Sequence, residues 1–236
     1  MNFLPSALHP PPLTLTLPDG TAVRPGKLLC IGRNYAAHVR EMGDVADLPA
    51  EPVVFLKPST ALVGTGGTVV LPRQSQDVHH EVELVAVIGR GGRHIAEADA
   101  LGHVAAYALG LDLTARDLQA RAKAEKGPWS VAKGFDTFAP LGPLTPADKV
   151  ADPQALTLVL RVNGEVRQQG TTDHMIFPVA RLVSYLSSVF TLEPGDLLYT
   201  GTPEGVGPVR AGDRLEATGT GLAPLVVSAV AEGDGG

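Results

Sequence analysis

The chain has a single cysteine, Cys30, in 236 residues. That excludes an intramolecular disulfide and suits a reducing compartment, with Cys30 itself reading as a small buried hydrophobe. Positive charge is also short: 19 Lys and Arg stand against 25 Asp and Glu, a net charge of -6. With no basic cluster to override that balance, a nucleic-acid partner is not expected. No apolar run approaches the roughly 20 residues that cross a bilayer, so no membrane partner is expected either. The first residues lack a basic start, and Pro5, Pro10, Pro11 and Pro12 interrupt them. A targeting segment would look different, and a cytoplasmic protein is expected. No glycine-rich unit follows a strand and opens a helix as nucleotide sites require. The loop Thr200–Gly207 lacks the Lys-Ser/Thr ending of a phosphate loop, although its N–H groups could still face an anion.

What is present describes an ordinary globular chain with a sizeable core, 44% hydrophobic and 19% charged. Gly (27) and Pro (20) fall between short apolar runs, which predicts many turns and many strands. Residues 1–26 read as an N-terminal arm with one strand, Leu13–Leu17, turning at Pro18-Asp19-Gly20. Residues 27–236 read as one mixed, β-rich domain of the α+β class. Strands are expected at Lys27–Ile31, Pro52–Leu56, Thr68–Leu71, Val78–Gly89, Tyr107–Leu113, Asp196–Thr200, Arg214–Thr218 and Leu225–Val230. Asn163-Gly164 predicts a hairpin between Leu156–Val162 and Glu165–Gln168. Asp44–Pro52 reads as a loop and Val63–Gly67 as a turn. Helices are expected at Ala36–Met42, at Asp99–Ala106, from a Thr114 cap to about Lys126, and at Pro178–Phe190. In the last, Val179, Leu182, Val183, Leu186, Val189 and Phe190 mark one core-facing stripe.

The chemistry centres on Val78–Gly89. Glu81 and Glu83 are two apart, so on a strand they project from one face, with Cα atoms about 7 Å apart. Paired carboxylates beside a run destined for burial are costly to desolvate. They call for a divalent cation, or else for a solvated acidic edge. Asp112 is a lone charge in an otherwise apolar run, and is a third ligand, a cap or the partner of Arg116. Three oxygen donors suit Mg²⁺ or Mn²⁺. His79 would share the glutamate face and His80 face away; a His79 ligand would favour zinc. His38 and Glu41, three apart on a helical turn, form either a general base with its orienting carboxylate or a surface pair. Lys133 lies among apolar and small residues, where it would balance developing negative charge or serve as an ordinary surface lysine.

These residues fall in stretches that resemble the fumarylacetoacetate hydrolase superfamily. The matches are Gly32-Arg-Asn-Tyr-Ala-Ala-His38, Phe55-Leu-Lys-Pro-Ser59, His80-Glu-Val-Glu-Leu84, Leu111-Asp-Leu-Thr-Ala-Arg-Asp117 with Gln119, Trp129-Ser-Val-Ala-Lys133, and Tyr199-Thr-Gly-Thr-Pro203 with Gly205-Val-Gly207. They occur in family-like order from about residue 27 to the end, closest to the short acylpyruvase and oxaloacetate decarboxylase branch. The resemblance implies a mixed β-sandwich or β-roll of the family's C-terminal-domain type, usually a homodimer. It implies Mg²⁺ or Mn²⁺ on Glu81, Glu83 and Asp112, and a His38–Glu41 dyad on a segment that orders over substrate. Lys133 would act beside the dyad, with Arg33, Gln119 and Thr202 binding substrate. The implied function is cleavage of a C–C bond in a small 2-oxo acid through a metal-stabilised pyruvate enolate, as acylpyruvate hydrolysis, oxaloacetate decarboxylation or both. The alternatives are an isomerase, hydratase or decarboxylase of aromatic ring-cleavage products, of the 2-hydroxyhepta-2,4-diene-1,7-dioate isomerase kind, and a non-catalytic metabolite-binding protein. The longer animal hydrolase carries a fourth metal carboxylate upstream of its histidine. Leu29-Cys-Ile-Gly32 has none, which argues against fumarylacetoacetate itself as substrate.

Overall fold

A computed structural model describes residues 13–43 and 48–233. The first twelve residues, whose prolines weigh against a targeting segment, lie outside that range. So do 44–47 of the loop expected at Asp44–Pro52.

The strand Val82–Ile88 is buried at every position. An apolar run of that kind has no solvent face, so it belongs in the middle of a sheet covered on both sides. It lies near the centre of an eight-stranded sheet. The order is Val53–Lys57, Leu28–Gly32, Leu197–Tyr199, Val82–Ile88, Val104–Leu111, Ala139–Leu141 and Leu62–Gly64, with Thr145–Pro146 also pairing to Val104–Leu111. Pairing is mixed: Leu197–Tyr199 runs parallel to Leu28–Gly32 and antiparallel to Val82–Ile88.

Strand alternation splits the core into two layers. Leu84, Ala86 and Ile88 face one way with Leu29, Ile31 and Leu109. That layer is closed by Val179, Leu182, Val183 and Leu186 of the helix Val179–Val189, four of the six residues of the predicted stripe; Phe190 packs against it half-buried, while Val189 is exposed. It is closed also by a five-stranded sheet of Glu165–Thr171, Thr157–Val162, Arg214–Gly219, Leu222–Ala231 and Thr68–Leu71. Val85 and Val87 face the other way with Leu28, Cys30, Ala106 and Ala108. Leu15 and Leu17 of the arm are buried in this second layer, so residues 13–26 cover the sheet rather than trail from it. Cys30 is wholly buried, and burial pushes its thiol pKa up. The Asn163-Gly164 hairpin forms as expected, with φ of 52° and 84°. Both lie in the left-handed region that a type I′ turn needs. The two sheets and few helices give the α+β architecture. Among the described residues no helix is long and apolar enough to cross a membrane.

Four local expectations change. Val78–Gly89 is not one strand: Val78–His80 pairs with Thr114–Ala115 and Gly207–Pro208 in a separate small sheet, and Glu81 sits at the break. Asp99–Ala106 becomes a 3₁₀ segment, Glu97–His103, and the strand Val104–Leu111 then starts early because Val82–Ile88 pairs along it. Leu62–Gly64 is a short strand where only a turn was predicted, held by parallel pairing to Ala139–Leu141. Thr114 is not a helix cap: the helix begins at Arg116 after Ala115.

Gly110 stands directly opposite Glu83 in the ladder. A Cβ there would meet Val85 Cγ2 at 2.5 Å and Tyr199 Cε1 at 2.6 Å. Gly110→Ala is therefore expected to lose about 1–3 kcal/mol of stability through overpacking, read as a shifted urea midpoint at unchanged slope.

Candidate active site

Glu81 sits at the break between two strands, Glu83 lies in the second of them, and Asp112 follows the last residue of the neighbouring strand. Register brings them together: Val82 is opposite Leu111, and Asp112 N–H donates to Glu81 O at 2.9 Å. Their carboxylates offer one oxygen each within 4.8 Å of one another, all buried. Such a cluster exists only with positive charge beside it.

Three side chains supply part of that charge. Lys133 Nζ lies 3.0 Å from Glu81 Oε2 and 2.6 Å from Asp112 Oδ2. Arg116 Nη2 lies 2.5 Å from Glu81 Oε1, to which Thr114 Oγ1 donates at 3.1 Å. The ion pair with Arg116, one of the alternatives for Asp112, is not formed. Asp112 takes two lysines instead, the second being Lys57, whose Nζ is 2.7 Å from Oδ1. Lys57 donates to the carbonyls of Leu113, Lys133 and Phe138, which uses all three ammonium hydrogens. Its contact with Asp112 Oδ1 is thus charge without a hydrogen bond, and that oxygen is buried with no hydrogen-bond partner. Arg116 Nη2 likewise meets Glu81 as a charge contact outside hydrogen-bond alignment.

The cations are shared unequally. Burial would raise the Glu81 pKa, but Lys133 and Arg116 outweigh it and hold the carboxyl well below the usual range. Burial, Asp112 and Glu81 together push Glu83 well above the usual range, outweighing the Gly201 N–H at 2.8 Å and the charge of Lys133. Glu83 and Asp112 Oδ1 therefore lack a partner of the strength their burial demands. A hard divalent cation would supply it, and an all-carboxylate donor set fits Mg²⁺ or Mn²⁺. The histidines take no part: His79 bonds Asp77 at 2.9 Å, and His80 bonds Gln168 at 3.0 Å. The face shared by His79 and the glutamates is lost because the strand breaks at Glu81.

His38 is buried on the helix Ala36–Glu41, with Nδ1 3.1 Å from Glu41 Oε2. The other Glu41 oxygen accepts from Gly205 N–H at 2.9 Å. A carboxylate at Nδ1 fixes the proton there and leaves Nε2 with its lone pair. The pair is therefore not a loose surface contact. His38, Arg33, Glu81, Gln119, Lys133 and Thr202 line one cavity of about 40 Å³, room for a few waters. Arg33 holds φ of 62°, a conformation rare outside glycine. Gln119 Oε1 accepts from Arg116 at 3.0 Å. The glycine-rich loop does present N–H groups to anions, but the anions are the chain's own Glu83 and Glu41. Gly201 must be glycine: its φ is +98°, and a Cβ would meet Asn34 Cβ at 2.7 Å.

Two contributing residues, Lys57 and Gln168, escaped sequence reasoning, and a third, Arg116, turns to Glu81 rather than to Asp112. Lys57 and Arg116 lie inside quoted motifs, but nothing local shows which way their charges turn. Gln168 sits on a hairpin strand read only as a return, and pairs across the fold with Val82, His80 and Thr202.

Residues 27–230 match the C-terminal domain of fumarylacetoacetate (FAA) hydrolase. The chain is 51% identical over 199 residues to the mitochondrial oxaloacetate tautomerase FAHD1 of Arabidopsis thaliana, covering 84% of this chain and 88% of that one. It is 47% identical over 197 residues to the mitochondrial oxaloacetate decarboxylase of Dictyostelium discoideum, covering 83% and 89%. Among solved structures, it superposes with a TM-score of 0.85 on fumarylpyruvate hydrolase from Pseudomonas aeruginosa, determined with Mn²⁺ and pyruvate. That protein is 46% identical, with 93% of this chain and 96% of that chain covered. Fold, carboxylate cluster and relatives agree: this chain belongs to the fumarylacetoacetate hydrolase family.

Proposed function

We propose that the chain is a divalent-metal-dependent enzyme that cleaves a C–C bond of small 2-oxo acids, by acylpyruvate hydrolysis, oxaloacetate decarboxylation or both. One observation carries this: a single cavity joins the His38–Glu41 dyad to Lys133 and to Glu81 of the carboxylate cluster. Glu81, Glu83 and Asp112 are the residues that would hold Mg²⁺ or Mn²⁺. When bound, that cation polarises the 2-oxo group as a Lewis acid. The Mn²⁺ and pyruvate of the Pseudomonas structure support the assignment.

The side chains then divide the work. His38 Nε2 takes the proton of a water that attacks the C4 carbonyl, while Glu41 holds the ring and balances the charge it gains. As the C3–C4 bond breaks, negative charge moves onto the pyruvate fragment, and Lys133 lies on the cavity wall to offset it. Arg33, Gln119 and Thr202 bind the substrate's carboxylate and carbonyl oxygens. Proton return to C3 completes pyruvate. Oxaloacetate can lose CO₂ with the same charge development and no attacking water. The tautomerase relatives favour a second use of these groups, since moving a proton on and off C3 of oxaloacetate needs only an acid–base residue and a site for negative charge. The assembly is a homodimer working in the cytoplasm. An apolar groove of about 650 Å³ beside the edge strand Val53–Lys57, with Leu56 and Val189 exposed, supports the pairing.

Glu83→Ala is expected to abolish turnover of acylpyruvates and oxaloacetate together, as chelation would in the wild type. Activity that survives both, followed by loss of acetylpyruvate absorbance, would sink the scheme. His38→Ala is expected to lower acylpyruvate hydrolysis by about 10²–10⁴ while calorimetric Mn²⁺ affinity stays unchanged. Loss of Mn²⁺ binding in that variant would make His38 a ligand or a structural residue. Sedimentation of the wild type should give twice the chain mass, and Leu56→Asp should halve it.

A further inference from the structure

Gln168 is wholly enclosed between the two sheets, and all its side-chain hydrogen-bonding groups are engaged. Its Oε1 accepts from Val82 N–H at 2.9 Å and lies 3.0 Å from His80 Nδ1. Its Nε2 donates to Thr202 Oγ1 at 2.9 Å and to Pro203 O at 3.0 Å. A backbone donor on one side and a backbone acceptor on the other fix the amide's orientation, because a flipped amide would set N–H against N–H and oxygen against oxygen. Two consequences follow. His80 must carry its proton on Nδ1. Thr202, whose oxygen already accepts from Gln168, keeps its own hydroxyl hydrogen for another group. Among the described residues that hydroxyl donates to no protein acceptor, and Thr202 lines the cavity.

Resting on the 2-oxo acid chemistry proposed above, we infer that Gln168 is a positioning residue that sets the polarity of Thr202, so that its hydroxyl points into the cavity as a donor to a substrate carboxylate or carbonyl oxygen. The fold builds this relay from distant parts. Gln168 comes from the five-stranded sheet, Val82 from the strand that carries Glu83, and Thr202 from the glycine-rich loop. The loop lies close against the Gln168 strand: a Cβ on Gly170 would meet Pro203 Cβ at 2.5 Å, and one on Gly205 would meet Arg167 O at 2.4 Å. The amide therefore does more than fill space, because the loop is already held by shape. A glutamate in its place would keep both accepting roles and lose both donating ones. Thr202 would then turn its hydrogen toward residue 168, away from the substrate.

The test is a double-mutant cycle of Gln168→Glu and Thr202→Val, read by calorimetric binding of pyruvate to protein saturated with Mn²⁺. Each single change is expected to weaken pyruvate roughly tenfold, the size of one hydrogen bond to a charged group. The double variant should be no weaker than either single one, with Mn²⁺ affinity close to wild type throughout. Gln168→Met, which also lacks the donors, serves if the glutamate variant does not fold. Losses that multiply in the double variant, or Gln168 variants that bind pyruvate like wild type, overturn the inference while leaving the functional reading intact. A wild type that binds no 2-oxo acid overturns both. Imidazole ¹⁵N spectra of the metal-free wild type give a readout independent of any variant. Protonated Nδ1 on His80 is expected, and protonation at Nε2 alone would mean the opposite amide polarity and end the proposal.

Discussion

Three carboxylates crowded within 4.8 Å of one another in a buried site set the terms for everything around them. Burial leaves little water to relieve their repulsion, so the fold must bring charge to them. It does so with Lys133, Arg116 and Lys57, each from a different segment, and it leaves Glu83 underserved. A core of this kind is poorly balanced without a further cation and well balanced with one. The metal dependence thus rests on electrostatics that the protein has arranged only in part.

The two-layer core explains how such a site is tolerated. Val82–Ile88 and Val104–Leu111 are buried on both faces, which fixes their register against slippage. Register in turn fixes the carboxylates to within the reach of one ion. The same ladder requires glycine at position 110, opposite Glu83, where any larger residue would strike Val85 and Tyr199. Apolar packing and acidic cluster are thus consecutive stretches of the same strands, one stabilising what the other strains.

Much of this was legible in the chain. Two glutamates at strand spacing, a lone aspartate in an apolar run, and a histidine with a glutamate three residues on each carry their chemistry locally. The helix stripe from Val179 and the Asn163-Gly164 turn were legible for the same reason. What was not legible depends on contacts between segments far apart in sequence. The break at Glu81 arises because Thr114–Ala115 and Gly207–Pro208 capture Val78–His80 in another sheet. Lys57 looks like any strand-end lysine until three carbonyls converge on it. Gln168 has no local signature at all, since its partners lie 34 to 88 positions away.

Glu41 spends one oxygen on His38 and the other on Gly205, a residue of the loop whose Gly201 N–H holds Glu83. His38 and the carboxylate cluster are therefore tied through one side chain and one loop: a displacement of residues 201–205 disturbs the orientation of the imidazole and the hold on Glu83 together.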